Sequence, residues 1–112
     1  MPVKSFSNSC QEVNDLLIEF MPSMIEDWLP DGRIEGNAYV ALNPRRDDEN
    51  LGSFRIEFSG AYAGRWRDWA MQGIGGTDFI SLFAYIRGLR QGQALAQLRK
   101  ILRRARLNGG RP

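Results

Sequence analysis

Between Ser53 and Gly60 the chain reads SFRIEFSG, and no other stretch constrains the fold as much. Phe54, Ile56 and Phe58 alternate with Arg55 and Glu57, the period-two pattern of a strand with one apolar and one polar face. Such a strand belongs in a sheet whose apolar face is covered from one side. The neighbouring segments fit that sheet. NAYVAL (37–42) is a compact strand candidate, and NPRRDDENLG (43–52) is rich in turn residues and is expected to be a loop. Ser59-Gly60 offers a turn, and AYAGRWRDWA (61–70) can return as a third strand with Gly64 as a bulge. The expectation is a small antiparallel meander.

Helical segments on either side supply the cover. Ser9 and Glu12 have the spacing of a capping box, and Val13, Leu16, Leu17 and Phe20 fall on one helical face. Pro22 is expected to interrupt this helix. Ser23 and Glu26 then offer a second capping box, for a short segment carrying Met24, Ile25 and Trp28 that ends at Pro30-Asp31-Gly32. After the sheet, GIGG (73–76) reads as a tight strand-to-helix turn. Thr77 is expected as N-cap and Asp78 in the first turn of a helix that buries Phe79, Ile80, Phe83 and Ile86 and stops at Gly88. A last helix, from about Gln91 to Leu107, carries Ala94, Leu95, Leu98, Ile101, Leu102 and Ala105 on its buried stripe. The expected class is α+β: a small antiparallel sheet packed with an N-terminal helix and two C-terminal helices. At 112 residues the chain is expected to be one domain, with 1–35 a helical cover, 36–105 the sheet and C-terminal helices, and 106–112 a tail.

Residue counts remove several kinds of chemistry. The chain has one cysteine, Cys10, and no histidine. An internal disulfide, a Cys/His zinc site within one chain and a Ser-His-Asp triad are therefore excluded. Cys10 is expected to be a small residue in the first turn of a helix. No cofactor is expected. No apolar run approaches the ~20 residues that cross a membrane. MPVKSFSNSC lacks the apolar core of a signal peptide, so a cytoplasmic location is expected.

Charge is distributed unevenly. Residues 1–54 carry four basic and ten acidic side chains, and residues 55–112 carry eleven basic and three acidic, so a net of −6 faces a net of +8. Such asymmetry is a common footprint of nucleic-acid binding. Two surfaces concentrate the cations. In RWRDW (65–69), Arg65 and Arg67 mix with Trp66 and Trp69, the combination that stacks bases and neutralises phosphates; Arg55 lies on the polar face of the preceding strand. Trp66 and Trp69 are an odd number of residues apart, so one is expected in the core and the other, Trp69, exposed. The second surface is the last helix, with Arg99, Lys100, Arg103, Arg104 and Arg106. The adjacent acids Asp47, Asp48 and Glu49 suggest a Mg²⁺ site, but three neighbours on one polar loop are read instead as solvated charges. GIGG lacks the lysine and Ser/Thr of a P-loop, so a turn is the safer reading than a phosphate cradle.

The order of these pieces resembles a known module. NPRRDDENLGSFRI, followed by GRWRDWAMQGIGGTDFISLFAYIRGLRQGQALAQL, resembles the N-terminal zinc-ribbon-type domain of bacterial DNA primases, and more closely the zinc-less versions at the front of phage and prophage primase–helicases. The resemblance covers roughly residues 36–105. Zinc-binding members carry Cys-x2-His in the first loop and Cys-x2-Cys after the last strand. Asn43 and Arg46 stand at the first pair here, and Asp68 and Met71 approximately at the second. The resemblance thus implies a ribbon without its metal. It also implies a role in engaging single-stranded template DNA, with no polymerising core in this chain, which would be an excised N-terminal domain or a small stand-alone relative.

The expectation is a non-catalytic domain that binds DNA, single-stranded by preference, during replication of a phage or mobile element. Arg55, Arg65, Arg67 and Trp69 form one candidate surface, and Arg99, Lys100, Arg103 and Arg104 the other. The alternative is a small protein–protein module, an adaptor or inhibitor that binds a host or replication protein through its exposed aromatics or acidic half.

Overall fold

The computed structural model describes residues 10–45 and 52–108, with side chains through 105. Three helices cover one face of a five-stranded antiparallel sheet, an α+β architecture. In chain order these are α1 (Cys10–Trp28), β1 (Arg33–Glu35), β2 (Ala38–Ala41), β3 (Phe54–Glu57), β4 (Trp66–Asp68), β5 (Gly75–Gly76), α2 (Phe79–Arg87) and α3 (Gln91–Asn108). The strands follow one another in space as they do in sequence, each antiparallel to the last.

The register puts alternate residues on opposite faces. One row runs Ile34–Tyr39–Ile56–Trp66–Gly76 and, beside it, Ala41–Phe54–Asp68; this is the inner face. The other runs Arg33–Val40–Arg55–Arg67–Gly75 on the opposite face, buried at Val40 and open at Arg33, Arg67 and Gly75. Tyr39, Phe54, Ile56, Phe58 and Trp66 pack with Leu17, Met21 and Ile25 of α1, Phe79, Ile80 and Phe83 of α2, and Ala94, Leu98 and Leu102 of α3 in one core. The expected alternation of β3 and the expected stripe of α3 both hold.

Several local expectations need correction. First, α1 does not break at Pro22, and Ser23 caps nothing: its hydroxyl donates to the Phe20 carbonyl in mid-helix. A proline inside a helix costs about 3 kcal/mol, but Leu17, Met21 and Ile25 bury a continuous stripe across it, and that burial is lost if the helix divides. Second, the meander has five strands, not three. β1 pairs with β2 through the two-residue loop Gly36-Asn37, with Gly36 at φ 63°. A two-residue hairpin with a leading glycine is a strong signal, and the sequence carried it. Third, GIGG is not a plain turn: Gly75 and Gly76 are β5, paired with Arg67 and Trp66. Fourth, residues 61–64 form the turn before β4, so the third expected strand is shorter at its start. Gly64 does sit in a bulge. Its N–H donates to the Glu57 carbonyl while the Glu57 N–H donates to the Arg65 carbonyl, so two residues oppose one.

The α2 N-cap is Asp78, one residue later than expected. Its backbone is extended (φ −145°), and its carboxylate accepts the Ser81 N–H at 2.8 Å. Asn14 of α1 adds a second acceptor, taking the Phe79 N–H at 2.8 Å. The helix stops at Gly88, in the left-handed region at φ 69°, as expected. Cys10 is exposed at the start of α1.

Candidate nucleic-acid interface

The outward face of β3 and β4 is where the basic and aromatic side chains meet. From Arg65 the chain is extended, so Arg65, Arg67 and Trp69 emerge on the same face while Trp66 and Asp68 turn inward. Exposure follows that alternation: Trp66 is 6% exposed and Trp69 65%. The ring of Trp66 packs against Phe54 and Tyr85, and its indole N–H donates to Ser81 Oγ at 2.9 Å. Trp69 is held in place by its backbone, with its N–H donating to the Ser53 carbonyl at 2.7 Å, and leaves its ring to solvent.

Two guanidiniums lie over two rings. Arg67 is 4.4 Å from the centre of the Trp69 ring, and Arg65 is 4.4 Å from the centre of the Tyr62 ring. Tyr62, 60% exposed, sits in the turn before β4, so Tyr62, Arg65, Arg67 and Trp69 form an aromatic–cation–cation–aromatic line. Arg55 is the direct cross-strand partner of Arg67, but its Nη1 is taken by Glu35 at 3.0 Å. Glu35 also receives Arg33 Nε at 2.7 Å, and these hydrogen bonds, that from Arg33 first, hold its carboxyl below the usual glutamate range. Arg65 and Arg67 have no ion-pair partner among the described residues.

Across the outer face of β3, β4 and β5 lies an open groove of about 720 Å³, lined by Arg55, Arg65, Arg67, Trp69 and the glycine segment, among others. The glycines are there for packing. A Cβ on Gly76 would meet the Trp66 indole nitrogen at 2.6 Å and Ser81 Oγ, and one on Gly75 would meet the Trp66 carbonyl oxygen at 2.8 Å. Side chains at these positions would push β5 off β4, so their absence both closes the sheet and leaves the groove wall bare.

Four of the eight candidate binding residues, Arg55, Arg65, Arg67 and Trp69, thus share one groove. The other four do not line it. Lys100, Arg103 and Arg104 are exposed on α3, and Arg99 is half-buried there, on a helix that packs against α1 and α2. The eight residues form two separate surfaces. Arg46, Asp47, Asp48 and Glu49 lie outside the described residues. Sequence reasoning missed Tyr62, whose place in a turn gave no periodic signal.

It also missed a buried polar cluster below the groove. Asp68 and Asn43 are both fully buried, and Asn43 Nδ2 donates to Asp68 Oδ2 at 2.7 Å and lies 2.8 Å from the Tyr85 hydroxyl. Asp68 Oδ1 accepts the Ala70 N–H at 2.9 Å, and Asn43 Oδ1 accepts the Arg45 N–H at 2.8 Å. The cluster fixes the chain on both sides of Trp69.

No helix among the described residues is long and apolar enough to cross a membrane. Compared with protein-family models, curated proteins and solved structures, the chain matches none.

Proposed function

We propose that the chain is a non-catalytic DNA-binding domain of a phage or mobile-element primase or related replication protein, and that it takes single-stranded template in the groove over β4. The observation that carries this reading is the line Tyr62–Arg65–Arg67–Trp69. Exposed rings offer stacking to bases whose faces are free, as in a single strand, and unpaired guanidiniums offer charge to the phosphates between them. From Arg65 to Trp69 the strand rise gives about 13 Å, room for several nucleotides.

The buried Asn43–Asp68 hydrogen bond supports the resemblance to a zinc-less primase ribbon. Those two residues stand at positions that carry metal ligands in zinc-binding members, and here they join the same two loops through a polar contact.

The test is tryptophan fluorescence titrated with single- and double-stranded oligonucleotides at two salt concentrations. Single strands are expected to quench Trp69 and to bind less tightly at the higher salt. Absence of binding at low salt overturns the proposal. It would favour the second reading, a protein–protein module, for which Ile34 is the supporting observation: it is exposed on the three-residue edge strand β1.

A further inference from the structure

Among the described residues the groove contains one carboxylate, and its backbone is fixed while its side chain is unused. Glu57 ends β3, is half-buried, and lines the groove with Tyr62, Arg65 and Arg67. Its N–H donates to the Arg65 carbonyl at 2.7 Å and its carbonyl accepts the Gly64 N–H at 2.8 Å, so the bulge sets its position. None of the cations around it pairs with it. Arg55 pairs with Glu35, Arg65 lies over Tyr62 and Arg67 over Trp69. Glu57 has no ion-pair or side-chain hydrogen-bond partner among the described residues. Its cross-strand neighbour on β2 is Ala38, too short to cover it.

A carboxylate accepts hydrogen bonds and cannot donate them. In a groove that otherwise attracts phosphate, it repels phosphate at its own position. A nucleic-acid strand lying there must turn a base edge toward it. Of the pyrimidines, cytosine offers the 4-amino group, a donor that suits a glutamate acceptor. Uracil and thymine offer a carbonyl oxygen at that place, and their N3–H is flanked by two carbonyl oxygens that repel a carboxylate.

We propose that Glu57 selects between pyrimidines, accepting a hydrogen bond from the 4-amino group of a cytosine whose ring stacks beside the Tyr62–Arg65 pair. The assignment rests on the reading of the groove as a single-stranded DNA site.

The experiment compares oligo(dC) with oligo(dU) of equal length, titrated into the full chain at neutral pH and one low salt concentration. The two strands carry the same backbone charge and lack the thymine methyl, so they differ only on the edge formed by the 4-position and N3. Oligo(dC) is expected to bind about fivefold or more tightly. Glu57→Gln keeps the side-chain volume and adds a donor. It is expected to tighten binding of both strands, because a negative charge is gone, and to bring their ratio close to one. A fold defect would weaken both strands together and would not move the ratio alone. A ratio near one in the unmodified chain, or one unchanged in Glu57→Gln, overturns the selectivity while leaving the groove as a DNA site. Binding of neither strand overturns both.

Discussion

The amide of Asn43 and the carboxylate of Asp68 meet at 2.7 Å with both side chains buried, tying the exit of β2 to the end of β4. Asp68→Ala leaves the Ala70 N–H and one Asn43 proton without acceptors, and is expected to cost about 2–3 kcal/mol, since a buried polar group without its partner loses its full desolvation energy. Asn43→Ala is expected to cost at least as much, because the carboxylate stays behind. Urea denaturation of both single variants and the double variant checks this. The double variant should cost less than the sum, with a coupling of about 1–3 kcal/mol. Additive costs would show that the two side chains act independently.

Gly76 tests why the glycine segment is glycine. Gly76→Ala places a methyl against the Trp66 indole and Ser81 Oγ, and overpacking of this kind costs about 1–3 kcal/mol. Gly73→Ala is the comparison. A Cβ there meets nothing within 4 Å, although the φ of 83° makes any side chain strained. Thermal unfolding should show a change in the Trp66 environment for Gly76→Ala alone. Unperturbed stability in Gly76→Ala would mean that β5 does not pack as described.

The contrast between these two glycines shows where sequence reading stops. Phe54, Ile56 and Phe58 announced β3 because a period of two needs no knowledge of what covers it. Parity put Trp66 and Trp69 on opposite faces and Arg65, Arg67 and Trp69 on one, and the place of Trp69 at the strand end, beside the glycine turn, marked it as the exposed ring. Gly75 and Gly76 could not announce a strand, because glycine has low strand preference and their pairing depends on Trp66 lying beneath them. Pro22 misled for the converse reason: local propensity argues for a break, and tertiary burial on both sides of it decides otherwise. Gly36-Asn37 was different, a readable hairpin signal beside a strand of only three residues. The period-two alternation put Glu57 on the polar face beside Arg55, but Tyr62 and the Asn43–Asp68 pair belong to the site through contacts between distant segments, which no local pattern encodes.

Tyr39 joins the end of α1 to the sheet, and its titration should be visible in stability. Its hydroxyl donates to the Leu29 carbonyl at 2.7 Å and accepts the Gly32 N–H at 3.1 Å. Burial raises its pKa above the usual tyrosine value of 10.0. A raised pKa means that the fold favours the protonated phenol. The contribution is therefore full below the unfolded-state pKa, and it is lost as pH rises through the folded-state one. Stability measured by urea denaturation should fall across that alkaline window. Tyr39→Phe should be less stable at neutral pH by about 1 kcal/mol, the net worth of such a hydrogen bond, and should show a shallower alkaline decline. An equal decline in the variant would assign the titration to another tyrosine.

The two tryptophans of RWRDW separate folding from binding. Trp66→Ala empties a buried site between Phe54 and Tyr85 and is expected to cost about 3–5 kcal/mol or to unfold the chain. Trp69→Ala removes an exposed ring and should change stability by less than about 0.5 kcal/mol. If bases stack on it, the same change should weaken single-stranded DNA binding roughly tenfold, within the ~1–3 kcal/mol of one stacked base. Replacing Arg65 and Arg67 together should weaken binding to every sequence and reduce the slope of log K against log salt by about 1.4, the counterion release of two single-strand phosphate contacts. Lys100, Arg103 and Arg104 are the control, being exposed cations on a different surface. Their removal should lower affinity modestly through the general field and leave the Trp69 quench intact. If it abolishes binding while the Arg65/Arg67 and Trp69 changes leave affinity as it was, the DNA runs along α3 and the groove over β4 has another use.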